Sequence, residues 1–201
     1  MKTSVSVVLA LAAGAISAPV APGVPTAAAA RSELAQLTVA DQVDDGNYSR
    51  SQFKTWDIIH DKCNTRDVVL IRDGTDVQTN DRCTVGDGNW VSPYDGAVFT
   101  AGHDLDIDHM VPLKNAWVSG ASAWTAKQRE AFANDLKHPQ LWAVSAHANR
   151  SKGDKGPEEY LPPSADFKCT YAESWVQVKS YYKLTVTQNE KDALAGVLAN
   201  C

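Results

Sequence analysis

Two stretches decide how this chain is read: Asp106-Ile107-Asp108-His109-Met110-Val111-Pro112-Leu113 and Ser145-Ala146-His147-Ala148-Asn149-Arg150-Ser151-Lys152-Gly153-Asp154. In the first, a short apolar run is interrupted by Asp108 and His109, and Pro112, which has no N–H for a ladder, marks a strand end or edge. The second continues from Leu141 to Ser145 (LWAVS), which has strand composition, and Ala146 to Lys152 suits one or two helical turns stopped at Gly153. The order is strand (Asp106 to Val111), insertion, strand, short helix around Asn149. Neighbouring side chains on extended backbone point to opposite sides, so Asp108 and His109 share a site only if the segment bends near His109. An Asp-His pair alone is more often a turn or a surface hydrogen bond. The two stretches carry weight together.

Together they resemble the D-x-D-H-x-x-P and N-x-x-K halves of HNH endonucleases. The likeness is greatest to a secreted microbial subfamily, whose pattern continues through Ala116-Trp117, Gly120-Ala121, Ala133-Asn134-Asp135 and Tyr160-Leu161-Pro162-Pro163. It runs from roughly Trp56 to Cys201 and includes Cys63-Asn64-Thr65-Arg66 and Pro93-Tyr94. The resemblance implies an α+β fold, a small single domain with a ββα-metal (HNH) core and extra helices. It also implies a metal-dependent endonuclease acting on DNA and/or RNA and leaving 5′-phosphates. Phosphodiester hydrolysis needs a base for water, a cation for the developing charge, and groups that hold the phosphate. Carried over by residue, the resemblance implies His109 as general base and Asp108 and Asn149 as ligands of one divalent metal. Oxygen ligands suit Mg²⁺ or Mn²⁺ better than Zn²⁺, and Asn149 stands where some family members have a metal-binding His.

Other residues have two readings each. Arg150 and Lys152 are candidate phosphate clamps, or a solvated helix face; Arg66 is a further phosphate candidate. Asp106 is a carboxylate supporting the ligands, or a cap. His147 either approaches the metal or the leaving group, or is an exposed loop histidine. Asn134 is the nearest candidate for the middle Asn of the motif, or a helix residue with no chemical part.

Composition bounds the rest. A chain of 201 residues, 44% hydrophobic and 21% charged, fits one globular domain. Met1 to about Ala18 has the basic start, short apolar run and small-residue end of a signal peptide, and its apolar run is too short for a bilayer. Ala18 to Ala30 has no charge, so residues 19–40 are expected to be propeptide or linker and 41–201 the nuclease domain, with an N-terminal helix around Ser32 to Val39 as an option. Cys63, Cys83, Cys169 and Cys201 in an exported chain argue for two disulfides, and local loop closure favours Cys63 with Cys83 and Cys169 with Cys201. A four-cysteine zinc site is the rival, against which no C-x-x-C spacing occurs.

The net charge of −5 is unlike that of most nucleic-acid binders. It is unevenly spread: Arg31 to Asp108 holds 15 acidic and 7 basic residues, whereas His109 to Lys155 holds 7 basic and 3 acidic. Outside the motif, Asp67 to Arg72 (DVVLIR) and Ala97 to Thr100 read as strands. Thr125 with Gln128 opens a helix to about Leu136, Ala165 to Tyr182 reads as an amphipathic helix, and Thr187 with Glu190 opens a last helix to about Asn200. The six tryptophans are read as core. Nucleic acid is the expected partner and no membrane is. Two rivals remain: a zinc hydrolase on peptide or cell-wall substrates using His103, Asp108, His109 and His147, and a non-catalytic secreted binding protein.

Overall fold

In the computed structural model, residues 21–201 are described. The expected signal peptide lies outside them. The elements are α1 (Ala27–Gln36), β1 (Ile58–His60), β2 (Cys63–Asn64), α2 (Thr65–Asp73), β3 (Asp87–Val91), β4 (Val98–Ala101), β5 (Leu105–His109), α3 (Leu113–Val118), α4 (Ala126–Ala133), β6 (Leu141–Ser145), α5 (Ala146–Lys152), α6 (Lys168–Tyr182) and α7 (Gln188–Leu198). The strands pair as three separate two-stranded antiparallel ribbons: β1 with β2, β3 with β4, and β5 with β6.

The β5–β6 ribbon divides the core. Leu105, Ile107, Leu141 and Ala143 face a smaller apolar cluster with Val69 and Leu70 of α2 and Trp90 of β3. On the other face Trp142 and Val144 join the main cluster, built on Tyr171, Trp175 and Val176 of α6. Alternation puts both sets on β6, so every residue of that strand is buried. Each large apolar side chain removed from water there contributes about 1.5–3 kcal/mol.

The outer edge of β6 is closed by side chains. Arg72 Nη2 donates to Leu141 O (2.6 Å), Ala143 N to Asp73 Oδ2 (3.0 Å), and Ser145 N to Ser92 Oγ (3.0 Å). These bonds pair much of the ladder that a two-stranded ribbon would otherwise leave open on that side.

Two expectations are corrected. Asp67 to Arg72 is not a strand but the body of α2, because Asn64 caps its N-terminus in a capping box with Asp67 while Val69 and Leu70 bury one helical face. Its β-branched content is a weak preference that capping and burial override. The segment expected as linker is, from Ala27, a helix capped by Thr26 and packed on α6 and α7 through Ala30 and Leu34. Alanine-rich sequence needs no charge to form a helix, and that helix starts earlier than Ser32. The two disulfides pair as expected, with Cα–Cα separations of 4.9 Å for Cys63–Cys83 and 5.8 Å for Cys169–Cys201, so there is no four-cysteine zinc site. No helix of the described residues is long and apolar enough to cross a membrane.

Candidate active site

Strand parity and helical period build the site. Asp106 and Asp108 are two apart on β5 and share the face toward α5. Ser145 ends β6 and caps α5, its Oγ accepting from Ala148 N at 3.1 Å. Asn149 and Lys152, three apart on α5, therefore share the face toward β5. Asn149 Nδ2 donates to Asp106 Oδ2 at 3.1 Å, and Lys152 Nζ to Asp108 Oδ1 at 2.9 Å.

Lys152 is fully buried. Besides Asp108 it donates to His109 O at 2.9 Å, and its ammonium lies 6.0 Å from the centre of the Trp175 ring. Its ammonium is directed at Asp108 and the backbone rather than at the cleft, as the counterion of Asp108. The other Asp108 oxygen accepts from Tyr94 OH. Burial pushes the Asp108 carboxyl up, opposed by the Lys152 charge and the Tyr94 hydrogen bond. Burial, reinforced by the Asp108 charge, keeps the Tyr94 phenol well above its ordinary range, so it remains a donor.

His109 follows Asp108 in a regular ladder, paired with Leu141, and the chain bends directly after it, at Met110 and Val111. At this strand end Asp108 and His109 line the same cleft of about 210 Å³, with Asn149, Arg150, Asp154 and Arg50. His109 Nε2 lies 3.0 Å from Ala133 O. A carbonyl only accepts, so Nε2 carries the proton and, in the neutral ring, Nδ1 has the lone pair. Burial holds the imidazole pKa down at about 3, against the Ala133 hydrogen bond and helped by Arg50 and Lys152, so the ring is neutral near pH 7.

The turn after His109 is pinned by Gln140, which sequence reasoning passed over. Met110 N donates to Gln140 O (2.7 Å), and the Gln140 amide accepts from Val111 N (3.1 Å) and donates to Val111 O (2.9 Å). A glutamine directly before β6, opposite the His-x-x-Pro turn, was the available signal. Arg50 was also missed, because an exposed arginine outside both motif halves carries no sequence mark.

Asn134 is not at the cleft. Its amide donates to Lys54 O (2.8 Å) and Glu130 O (2.9 Å) and accepts from Asp57 N (3.0 Å) and Thr65 Oγ1 (2.7 Å), a fully used brace between α4 and the chain before α2. Arg66 does not reach the cleft either, since its guanidinium donates to Gly102 O (3.0 Å) and Leu105 O (2.8 Å) and anchors the start of β5. His147 is exposed on α5 and lines no part of the cleft. His103 is 82% exposed, 3.5 Å from Asp104. Arg150 is 77% exposed at the cleft mouth, 3.7 Å from Asp106.

Comparison with known proteins defines the class. Residues 49–197 match the family described as GmrSD restriction endonucleases, C-terminal domain, and the chain belongs to that family. A protein of Arthroderma benhamiae (strain ATCC MYA-4681 / CBS 112371), named an uncharacterized secreted protein, is 51% identical over 183 residues, covering 91% of this chain and 90% of that protein. No solved structure gives a significant match. With its two disulfides, the chain is, like this relative, a secreted protein.

Proposed function

We propose that this protein is a secreted endonuclease that hydrolyses phosphodiester bonds in DNA and/or RNA with one divalent metal, His109 serving as general base. The observation that carries the reading is the placement of His109, its Nε2 proton committed to Ala133 O so that the Nδ1 lone pair is left free, in one cleft with Asp108, Asn149 and two arginines. We read β5, β6 and α5 as the ββα core that the sequence resemblance calls for, and family membership supports nuclease chemistry.

The residues present fit a hard divalent cation. Asp108 lines the cleft with a carboxylate, and Asn149 Oδ1 accepts no hydrogen bond among the described residues, so both can offer oxygen. Asp106 orients the Asn149 amide through Nδ2. An all-oxygen set favours Mg²⁺ or Mn²⁺. When bound, such an ion supplies positive charge to the phosphate and the departing oxygen.

The remaining steps belong to the chain. His109 Nδ1 takes a proton from water, the water oxygen bonds to phosphorus, and the P–O3′ bond breaks to leave a 5′-phosphate; the 3′ oxygen is protonated from solvent. Arg50 and Arg150 hold the non-bridging oxygens. Lys152 opposes the burial that pushes the Asp108 carboxyl up and fixes the strand at His109 O.

The zinc-hydrolase alternative is weakened because His103 and His147 are exposed and line no part of the cleft. The test is cleavage of plasmid DNA and of a structured RNA by the purified mature protein, with EDTA and then added Mg²⁺, Mn²⁺ or Zn²⁺. Cutting that EDTA stops and Mg²⁺ or Mn²⁺ restores supports the reading. Restoration by Zn²⁺ alone, or no cutting of either polymer, rejects it.

A further inference from the structure

Trp56 is a non-glycine residue at φ +62°, in the left-handed region that bulky side chains avoid. Such a conformation persists only where the surroundings over-determine it, and here they do. Asn134 straddles the residue, donating to Lys54 O at 2.8 Å on one side and accepting from Asp57 N at 3.0 Å on the other. Asp57 O in turn accepts from Thr65 N at 2.9 Å, and Lys54 Nζ pairs with Asp57 at 2.7 Å and with Glu130.

The product of this clamp is a stack. The Trp56 ring lies over the His109 imidazole with centroids 5.9 Å apart and planes inclined by 22°. Asn134 follows Ala133, whose carbonyl receives the Nε2 proton. One short segment thus holds the imidazole twice, by its edge through Ala133 O and by its face through Trp56. A packed tryptophan has no need of a left-handed backbone; the unusual φ sets the indole near-parallel to, and offset from, this one imidazole.

We propose that Trp56, held at positive φ by Asn134, is a positioning residue for His109, fixing the plane of the imidazole so that Nδ1 faces the cleft. This rests on the reading of His109 as general base. Holding a base within a fraction of an ångström of its working place is worth about 10²-fold in rate, and a stacked ring can do this without touching substrate.

The test uses the full mature protein with Mg²⁺ on plasmid DNA, comparing wild type, Trp56→Ala, Trp56→Phe and His109→Ala, and records the ring-nitrogen NMR signals of His109 without metal. Trp56→Ala is expected to lower kcat by about 10²-fold with KM changed less than about twofold, and Trp56→Phe to recover most of the loss. The His109 spectrum should show the proton on Nε2 in wild type and a mixture of tautomers in Trp56→Ala. A Trp56→Ala protein as active as wild type, a loss that Phe does not restore, or an unchanged His109 ring spectrum overturns the proposal. If His109→Ala retains activity, the general-base reading fails, and the ring spectrum still decides whether Trp56 positions the imidazole.

Discussion

Lys152 Nζ lies 2.9 Å from Asp108 Oδ1, and neither side chain is exposed. One group from β5 and one from α5 thus neutralise each other inside the protein. Removing one partner leaves a buried charge unmatched. Lys152→Met is expected to destabilise the fold by about 3–5 kcal/mol, whereas Lys152→Met combined with Asp108→Asn recovers much of that loss. Urea denaturation of the two variants beside wild type measures both.

His109 gives a pH signature of folding. Its folded pKa, about 3, lies below the ordinary histidine value, so between the two the unfolded chain binds a proton that the folded chain refuses. This contribution to stability is complete above about pH 6.5 and is lost as pH falls toward 3, at up to about 1.4 kcal/mol per pH unit. Denaturation of wild type and His109→Gln across that range should show the acid loss in wild type and its absence from the variant. Parallel curves contradict the buried neutral ring.

Arg50 and Arg150 line the cleft and are exposed, so neither supports the fold to any extent. Arg50→Ala and Arg150→Ala are each expected to leave stability within about 0.5 kcal/mol of wild type. Each should weaken nucleic-acid binding and reduce the slope of log affinity against log salt by about 1. Fluorescence anisotropy at several salt concentrations checks this.

Gln140 makes two side-chain hydrogen bonds to Val111 in a fully buried setting. Gln140→Ala leaves both Val111 groups without partners and is expected to cost about 2–4 kcal/mol. Because that turn carries the chain away from His109, kcat should fall more than KM rises. Thermal unfolding and steady-state cleavage test the two halves.

How much of this was legible in the sequence follows from the range of the forces involved. Leu141 to Ser145 and Ala146 to Lys152 were readable to the residue, because strand composition and the Gly153 stop act within a few positions. The capping boxes of Thr125 and Thr187 were readable for the same reason. Asp67 to Arg72 misled, since a composition rich in Val and Ile spoke louder than the Asn64 cap three residues earlier. At the site, Asp108, His109 and Asn149 meet in one cleft or at its wall as the motif order suggests. The positions of Lys152, Asn134 and Arg66 were not legible: each makes its hydrogen bonds to residues at least 36 positions away or to backbone, and nothing local records that. Trp56 was hidden more deeply, because a positive φ on a tryptophan contradicts every local preference and exists only through the Asn134 clamp.

His109 is proposed as the base of a metal-dependent nuclease. The most direct test is cleavage of plasmid DNA and a structured RNA in Mg²⁺ by wild type and His109→Ala, with circular dichroism showing both folded. Wild type is expected to cut, with cutting abolished by EDTA and reduced at least about 10²-fold in the variant; equal cutting by a folded His109→Ala protein would contradict a general-base role for His109.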